Sequence, residues 1–200
     1  MDYQLKYFEQ AASLENASKW DELLAHCVLW SEQEPDNFLA WHSTGLAYRN
    51  LGLPENAIKA YRTGIAVAPT HPMQFFTRTI SAGPLWNGLG LAYSELKRTD
   101  EAIEAFLEAT RIDFNEPKAW DNLGVAYTHK GDAVKALDAF KKAYSLNPAD
   151  KNSLKNIGLV YAHVKQQDGI TLVHQMLLKH SSKAAREFLD QANNILRNSA

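Results

Sequence analysis

Few side chains in this 200-residue chain are of the kind that move protons, hold metals or attack substrates, and their spacing decides what they can do. His42, His129 and His163 come first, because imidazoles ligate zinc or relay protons when two or three of them converge. They fall in three separate stretches without the close His or Cys pairs of a metal site, so neither a metal centre nor a proton-transfer site is expected. Cys27, the single cysteine, cannot form an internal disulfide. It occupies a core position and has no basic neighbour to activate its thiol. Residues 88–91, GLGL, imitate part of a phosphate-binding loop, but they follow no strand and lie within a helical pattern. No catalytic residue, cofactor or metal is assigned, and the chain is not expected to be an enzyme. Turnover traced to Asp121 or His129 would overturn that reading.

Composition narrows the class further. A hydrophobic share of 46% is that of an ordinary folded chain. Residues 1–150 carry 14 Lys and Arg against 20 Asp and Glu, whereas residues 151–200 carry 7 against 3, so the body is about −6 and the tail about +4. With a slightly negative total and aromatics at packing positions, no nucleic-acid partner is expected. The start MDYQLKYFEQ has no basic stretch followed by an apolar run, and no stretch approaches the ~20 apolar residues of a membrane helix. A soluble, cytoplasmic protein without a membrane partner is the expectation.

The elements that would position any site come from a repeat. WHSTGLAY at 41–48 returns as WNGLGLAY at 86–93 and WDNLGVAY at 120–127, and LKNIGLVY at 154–161 continues the series. With the first residue of each stretch as position 4 of a 34-residue unit, position 8 is Gly45, Gly90, Gly124 and Gly158. Position 11 is always Tyr, position 20 is Ala57, Ala102 and Ala136, and position 24 is Tyr61, Phe106 and Phe140. Positions 4, 7, 8 and 11 obey the i, i+3, i+4, i+7 rule, as do 20, 24 and 27, so each unit reads as two amphipathic helices. Gly at 8 and Ala at 20 let the helices approach, with the Trp and the position-24 ring filling the space around them. Pro69 and Pro148 at position 32 end the second helix, Pro54 suits a first helical turn, and Thr99 and Asp132 are expected N-caps. The units are 38–71, 83–116 and 117–150, flanked by degenerate copies at about 4–37 and 151–181. In the fifth, Ile170 and His174 stand where Ala and an aromatic belong, leaving its second helix in doubt. Residues 182–198 form a stripe of Ala185, Phe188, Leu189, Ala192, Ile195 and Leu196, expected to cap the exposed end of a stack.

These residues resemble the W-x2-L-G-x2-Y, A-x3-F and P pattern of the tetratricopeptide repeat (TPR) family. The resemblance implies an all-α, right-handed α-solenoid of stacked antiparallel helix pairs with a C-terminal capping helix, forming a single domain over 1–200. It also implies a concave groove lined by the first helix of each pair, at positions not used for packing. In this sequence the groove residues are His42, Leu46 and Arg49, then Asn87 and Leu91, then Lys118, Asp121, Asn122, Val125 and His129, then Lys155, Asn156 and Leu159, with Gly88 leaving space. The chemistry is that of hydrogen-bonding amides beside an apolar row, suited to a protein or peptide ligand held as an extended segment or a partner helix. One subclass of the family grips terminal carboxylates of chaperones with a Lys and Asn set. Here Asn87, Leu91, Asn122, Lys155 and Leu159 match that set at two places of five, which argues against it, while a different carboxylate grip near Lys118 and Lys155 stays open.

A spacing of 45 rather than 34 between Trp41 and Trp86 marks an insertion at 72–82, expected on a loop or as a helix extension. Phe75, Phe76 and Arg78 within it form an apolar and cationic cluster of the kind found at interfaces. The function expected is a protein-interaction scaffold. A self-assembling homo-oligomeric scaffold and an accessory targeting module of an enzyme complex are the alternatives.

Overall fold

Helix starts follow local chemistry along most of the chain. Asn37, Glu116, Asp132 and Asp150 each accept a hydrogen bond from a backbone N–H of the first turn, opening α3, α7, α8 and α9. Pro54 and Pro117 begin α4 and α7, where the missing N–H costs nothing. Thr99, expected as an N-cap, is instead the first residue of α6, and Arg98 precedes it without a side-chain cap. The computed structural model describes the backbone of residues 2–75 and 78–198, and side chains there except for residues 2–5 and 73–79.

Eleven helices are described, in two compact units, residues 1–114 and 115–200. The first holds α1 (Asp2–Asn16), α2 (Trp20–Gln33), α3 (Phe38–Asn50), α4 (Pro54–Val67), α5 (Gly83–Glu95) and α6 (Thr99–Ile112). There α3 packs on α4, α5 on α6, and α2 and α5 both touch α3. The second holds α7 (Pro117–Lys130), α8 (Ala133–Leu146), α9 (Lys151–His163), α10 (Gln167–His180) and α11 (Ser182–Asn198). In it α8 lies against α7 and α9, and α9, α10 and α11 pack mutually. This is an all-α repeat array, as the periodicity implies. The helix doubted from sequence, α10, is complete, burying Ile170, Val173 and Leu177.

The turn inside every hairpin has one residue in the left-handed region: Ser18 (φ 54°), Gly52 (74°), Lys97 (58°), Gly131 (82°) and Lys165 (57°). All occupy position 15, where the chain must reverse after the first helix. Glycine takes this conformation freely, and the three side-chain-bearing residues hold it at a steric cost.

Close approach at position 8 is what the repeated glycine permits. A Cβ on Gly45 would come 2.6 Å from the Tyr61 ring, one on Gly90 2.5 Å from Phe106, and one on Gly124 2.7 Å from Phe140. Each ring is the position-24 aromatic of its own repeat. In the fifth repeat that position is His174, and Gly158 is met instead by Phe188 of α11. Phe188 is fully buried, with Ala185 and Ala192 beside it on α11. The capping helix therefore supplies the ring its neighbouring repeat lacks. Gly88, expected to leave space in a groove, is also packed, since a Cβ there would lie 2.5 Å from Tyr61 Cζ.

The position-4 tryptophans fill less of the interior than their spacing implies. Trp41, Trp86 and Trp120 remain half-buried, and Trp41 Nε1 donates to the Pro35 carbonyl at 2.7 Å. Trp30, at position 27 of the first repeat, is the buried indole, packed in one cluster with Ala11, Leu23 and Cys27. The degenerate first repeat thus has an ordinary core.

The insertion is neither plain loop nor longer helix. Met73–Phe75 and Arg78–Ile80 pair as antiparallel strands, Met73 opposite Ile80 and Phe75 opposite Arg78. The Phe76 residue and the side chains of Phe75 and Arg78 lie outside the described residues. Where the insertion ends, Ser81 Oγ donates to Asp113 Oδ2 at 2.7 Å and accepts the Gly83 N–H at 3.1 Å, tying it to the residue that closes α6.

Candidate functional site

Helical geometry leaves one stripe of each first helix opposite its packing face. On α7 that stripe is Lys118, Asn122, Val125 and His129, spaced i, i+4, i+7, i+11, while Ala119, Leu123, Gly124, Ala126 and Tyr127 are buried on the other side. On α9 the same arithmetic gives Asn156, Leu159 and His163 with Lys155 at their flank, against buried Ser153, Leu154, Ile157, Gly158 and Val160. On α3 it gives His42, Leu46 and Arg49, and on α5 Asn87 and Leu91. Leu46, Asn87, Leu91, Asn122, Lys155, Asn156 and Leu159 are half-buried, and Val125 is 41% exposed. The expected residues therefore gather as two sets, one within each unit.

In the first unit the charged members are already engaged. Arg49 Nε lies 3.5 Å from Glu95 Oε1, joining the ends of α3 and α5. Burial pushes the Glu95 carboxyl above the usual range, and the Arg49 guanidinium opposes that rise. His42, read from sequence as a groove residue, has its ring 6.2 Å from that of Tyr61. Burial lowers its pKa to about 4, with repulsion from Arg49 adding to the effect, so the imidazole is neutral at physiological pH. It therefore brings no positive charge to this face.

The second unit is arranged otherwise. Asp121, expected to face a ligand, accepts a hydrogen bond from Ser153 Oγ at 2.8 Å and so links α7 to α9. Its Oδ1 is buried without a hydrogen-bond partner among the described residues. Burial raises the carboxyl pKa, the Ser153 bond works against it, and Asp150 adds to the rise. Half-buried, Asp121 braces α7 against α9 through this bond. Lys118 and Lys155 make no ion pair among the described residues. His129 is exposed, and His163 Nδ1 sits 2.8 Å from the Leu159 carbonyl of its own helix.

Sequence reasoning missed both cross-repeat partnerships. Glu95 is at position 13 and Ser153 at position 3, and nothing in either residue type announces its partner; the signal is only that each falls one repeat after the residue it meets. Cys27 meets its expectation: it is buried, and loss of solvent pushes its thiol up to about 12. Among the described residues no group of three or more His, Cys, Asp or Glu is placed to hold a metal, and no helix is long and apolar enough to cross a membrane.

Comparison with known proteins agrees with the repeat architecture. Models of the tetratricopeptide repeat match residues 39–71, 83–116 and 117–150. The structure resembles that of PilF from Pseudomonas aeruginosa, with a TM-score of 0.73 at 16% identity, covering 95% of this chain and 87% of that one. MamA from Desulfovibrio magneticus RS-1 superposes with a TM-score of 0.65 at 18% identity over 99% and 97% of the two chains. YrrB, described as a TPR protein with an unusual peptide-binding site, gives 0.61 at 19% identity over 94% and 84%. At these identities the likeness is one of fold. No curated protein sequence matches the chain. With three matched repeats in register with its glycine notches, the chain belongs to the tetratricopeptide repeat family, whose arrays are protein–protein interaction scaffolds.

Proposed function

We propose that the stripes on the first helices are each a contact surface for a partner protein: Leu46 and Leu91 supply the aliphatic contacts in the first unit, and Val125 and Leu159 do so separately in the second. The observation that carries this reading is their placement: these side chains sit on the faces opposite the hairpin packing and keep part of their surface in water. Asn87, Asn122 and Asn156 stand in the same stripes, and each amide both donates and accepts, which suits the alternating N–H and C=O groups of an extended backbone. The comparison with YrrB lends support, since that protein shares the fold and is described as having a peptide-binding site. Shape and hydrogen bonding suffice for such binding, and no step of it calls for a catalytic group.

A photo-crosslinking amino acid placed at Leu91 or Leu159 tests this directly in extract of the native cell. Each position should capture a partner chain, and the same probe at Val134, 72% exposed on α8, should not. Capture from Val134 alone would remove the reading.

A further inference from the structure

We infer that a cleft at the turn between α2 and α3 is a second docking site, shaped for a basic side chain flanked by an apolar residue on a segment of a partner protein. The cleft, broadly open to solvent, has a volume of about 590 Å³ and lies within the first unit. That volume falls in the range of roughly 300–1,000 Å³ typical of ligand sites, room for a long side chain and a neighbour.

Its walls are of two kinds. Phe38, Leu39, Val67, Pro69 and Ile80 give an apolar floor, and Leu39, Val67, Pro69 and Ile80 are only half-buried. Glu34 and Asp36 stand on the same lining as carboxylates. Glu34 is held in place: Asn37 Nδ2 donates to its Oε2 at 2.7 Å, and Trp30 Nε1 approaches the same oxygen at 3.4 Å. Asp36 is exposed and makes no ion pair among the described residues. Apolar side chains and carboxylates sharing one lining can take up a long cationic side chain, methylenes on the apolar part and head group on the oxygens.

The charge of the surroundings points the same way. Residues 1–114 carry 9 Lys and Arg against 15 Asp and Glu, about −6, a field that draws a basic segment and repels an acidic one. A bare ammonium would leave the floor uncovered, which selects a basic residue in an apolar context over a small free amine.

Fluorescence polarisation with the full chain tests this using a labelled, C-terminally amidated peptide, Leu-Leu-Arg-Leu-Leu, and its citrulline counterpart, which keeps the shape and loses the charge. The arginine peptide should bind at least about tenfold more tightly, a difference of about 1.4 kcal/mol. Raising the salt should erode its advantage. Asp36→Asn and Glu34→Gln should each weaken the arginine peptide several-fold and leave the citrulline peptide unchanged. Val67→Trp, which fills the floor, should abolish both, with melting curves confirming that each variant folds. Equal binding of the two peptides, undiminished binding by Val67→Trp, or arginine methyl ester competing as strongly as the peptide would each overturn the assignment. None of these results bears on crosslinking at Leu91 and Leu159, so the two sites stand or fall separately.

Discussion

On α3 and α5 the charged residues of the inner face answer one another, Arg49 reaching Glu95 at 3.5 Å, while on α7 and α9 Lys118 and Lys155 make no ion pair among the described residues and the Asp121 carboxylate is held by a hydroxyl at 2.8 Å. Both faces are written on one 34-residue register. What differs is the residue that the following repeat offers across the gap: a carboxylate at position 13 in one case, a serine at position 3 in the other. A residue's position in the repeat fixes where it points, and its neighbour one repeat later determines whether its charge is available to a ligand. The two units also differ in how their position-8 notches are closed, since Gly45 and Gly90 in the first meet the ring of their own repeat, whereas Gly158 in the second meets a ring from α11.

That second difference yields the largest expected effect. Phe188→Ala should destabilise the second unit by about 3–5 kcal/mol in urea titrations, as for deletion of a buried ring from any core. Tyr61→Ala should do the same to the first unit. A near-neutral Phe188→Ala would mean that α11 only lies on the surface.

Asp121→Asn separates the brace from its charge. The folded state raises this carboxyl above its ordinary value of 3.8, so the native protein holds the proton more tightly than the unfolded chain. Stability from this group is then fully present below pH 3.8 and is lost as pH rises through the folded value. The substitution should stabilise the second unit by up to about 1 kcal/mol at pH 7 and by nothing at pH 3, read from paired melts.

Arg49→Met probes the opposite arrangement. It should cost the first unit about 0.5 kcal/mol at low salt and less at high salt, because the pair is partly exposed. An effect that ignores salt would assign the side chain to packing instead of charge. Smallest is the turn comparison: Lys97→Gly relieves a left-handed side chain but loosens the unfolded chain, for a net gain of a few tenths of a kcal/mol. Gly131 already holds the equivalent turn in the second unit.

The array itself was legible because packing writes a strong periodic signal. Gly45, Gly90 and Gly124 recur for a steric reason that any one of them would reveal. The fifth repeat was only half legible, because Gly158 appears without its ring until Phe188 arrives from a helix 30 residues downstream. Periodicity reports direction and not depth: His42 lies on the stripe that spacing implies, half-buried with its ring 6.2 Å from that of Tyr61, and burial lowers its pKa. Arg49 and Asp121 lie on α3 and α7, as the spacing implies, and their partners depend on distances between repeats that no spacing rule encodes. The insertion was visible as a break in the count, but its pairing into strands was not, since three residues are too few for alternation to register.

Phe188 sitting in the Gly158 notch also sets the terms on which this array can be lengthened. A further repeat grafted after α10 would have to displace α11, and would leave that notch empty unless His174 were changed to an aromatic at the same time. Anyone splicing modules onto this end must therefore treat residues 174 and 188 as alternative plugs for a single hole, to be exchanged together.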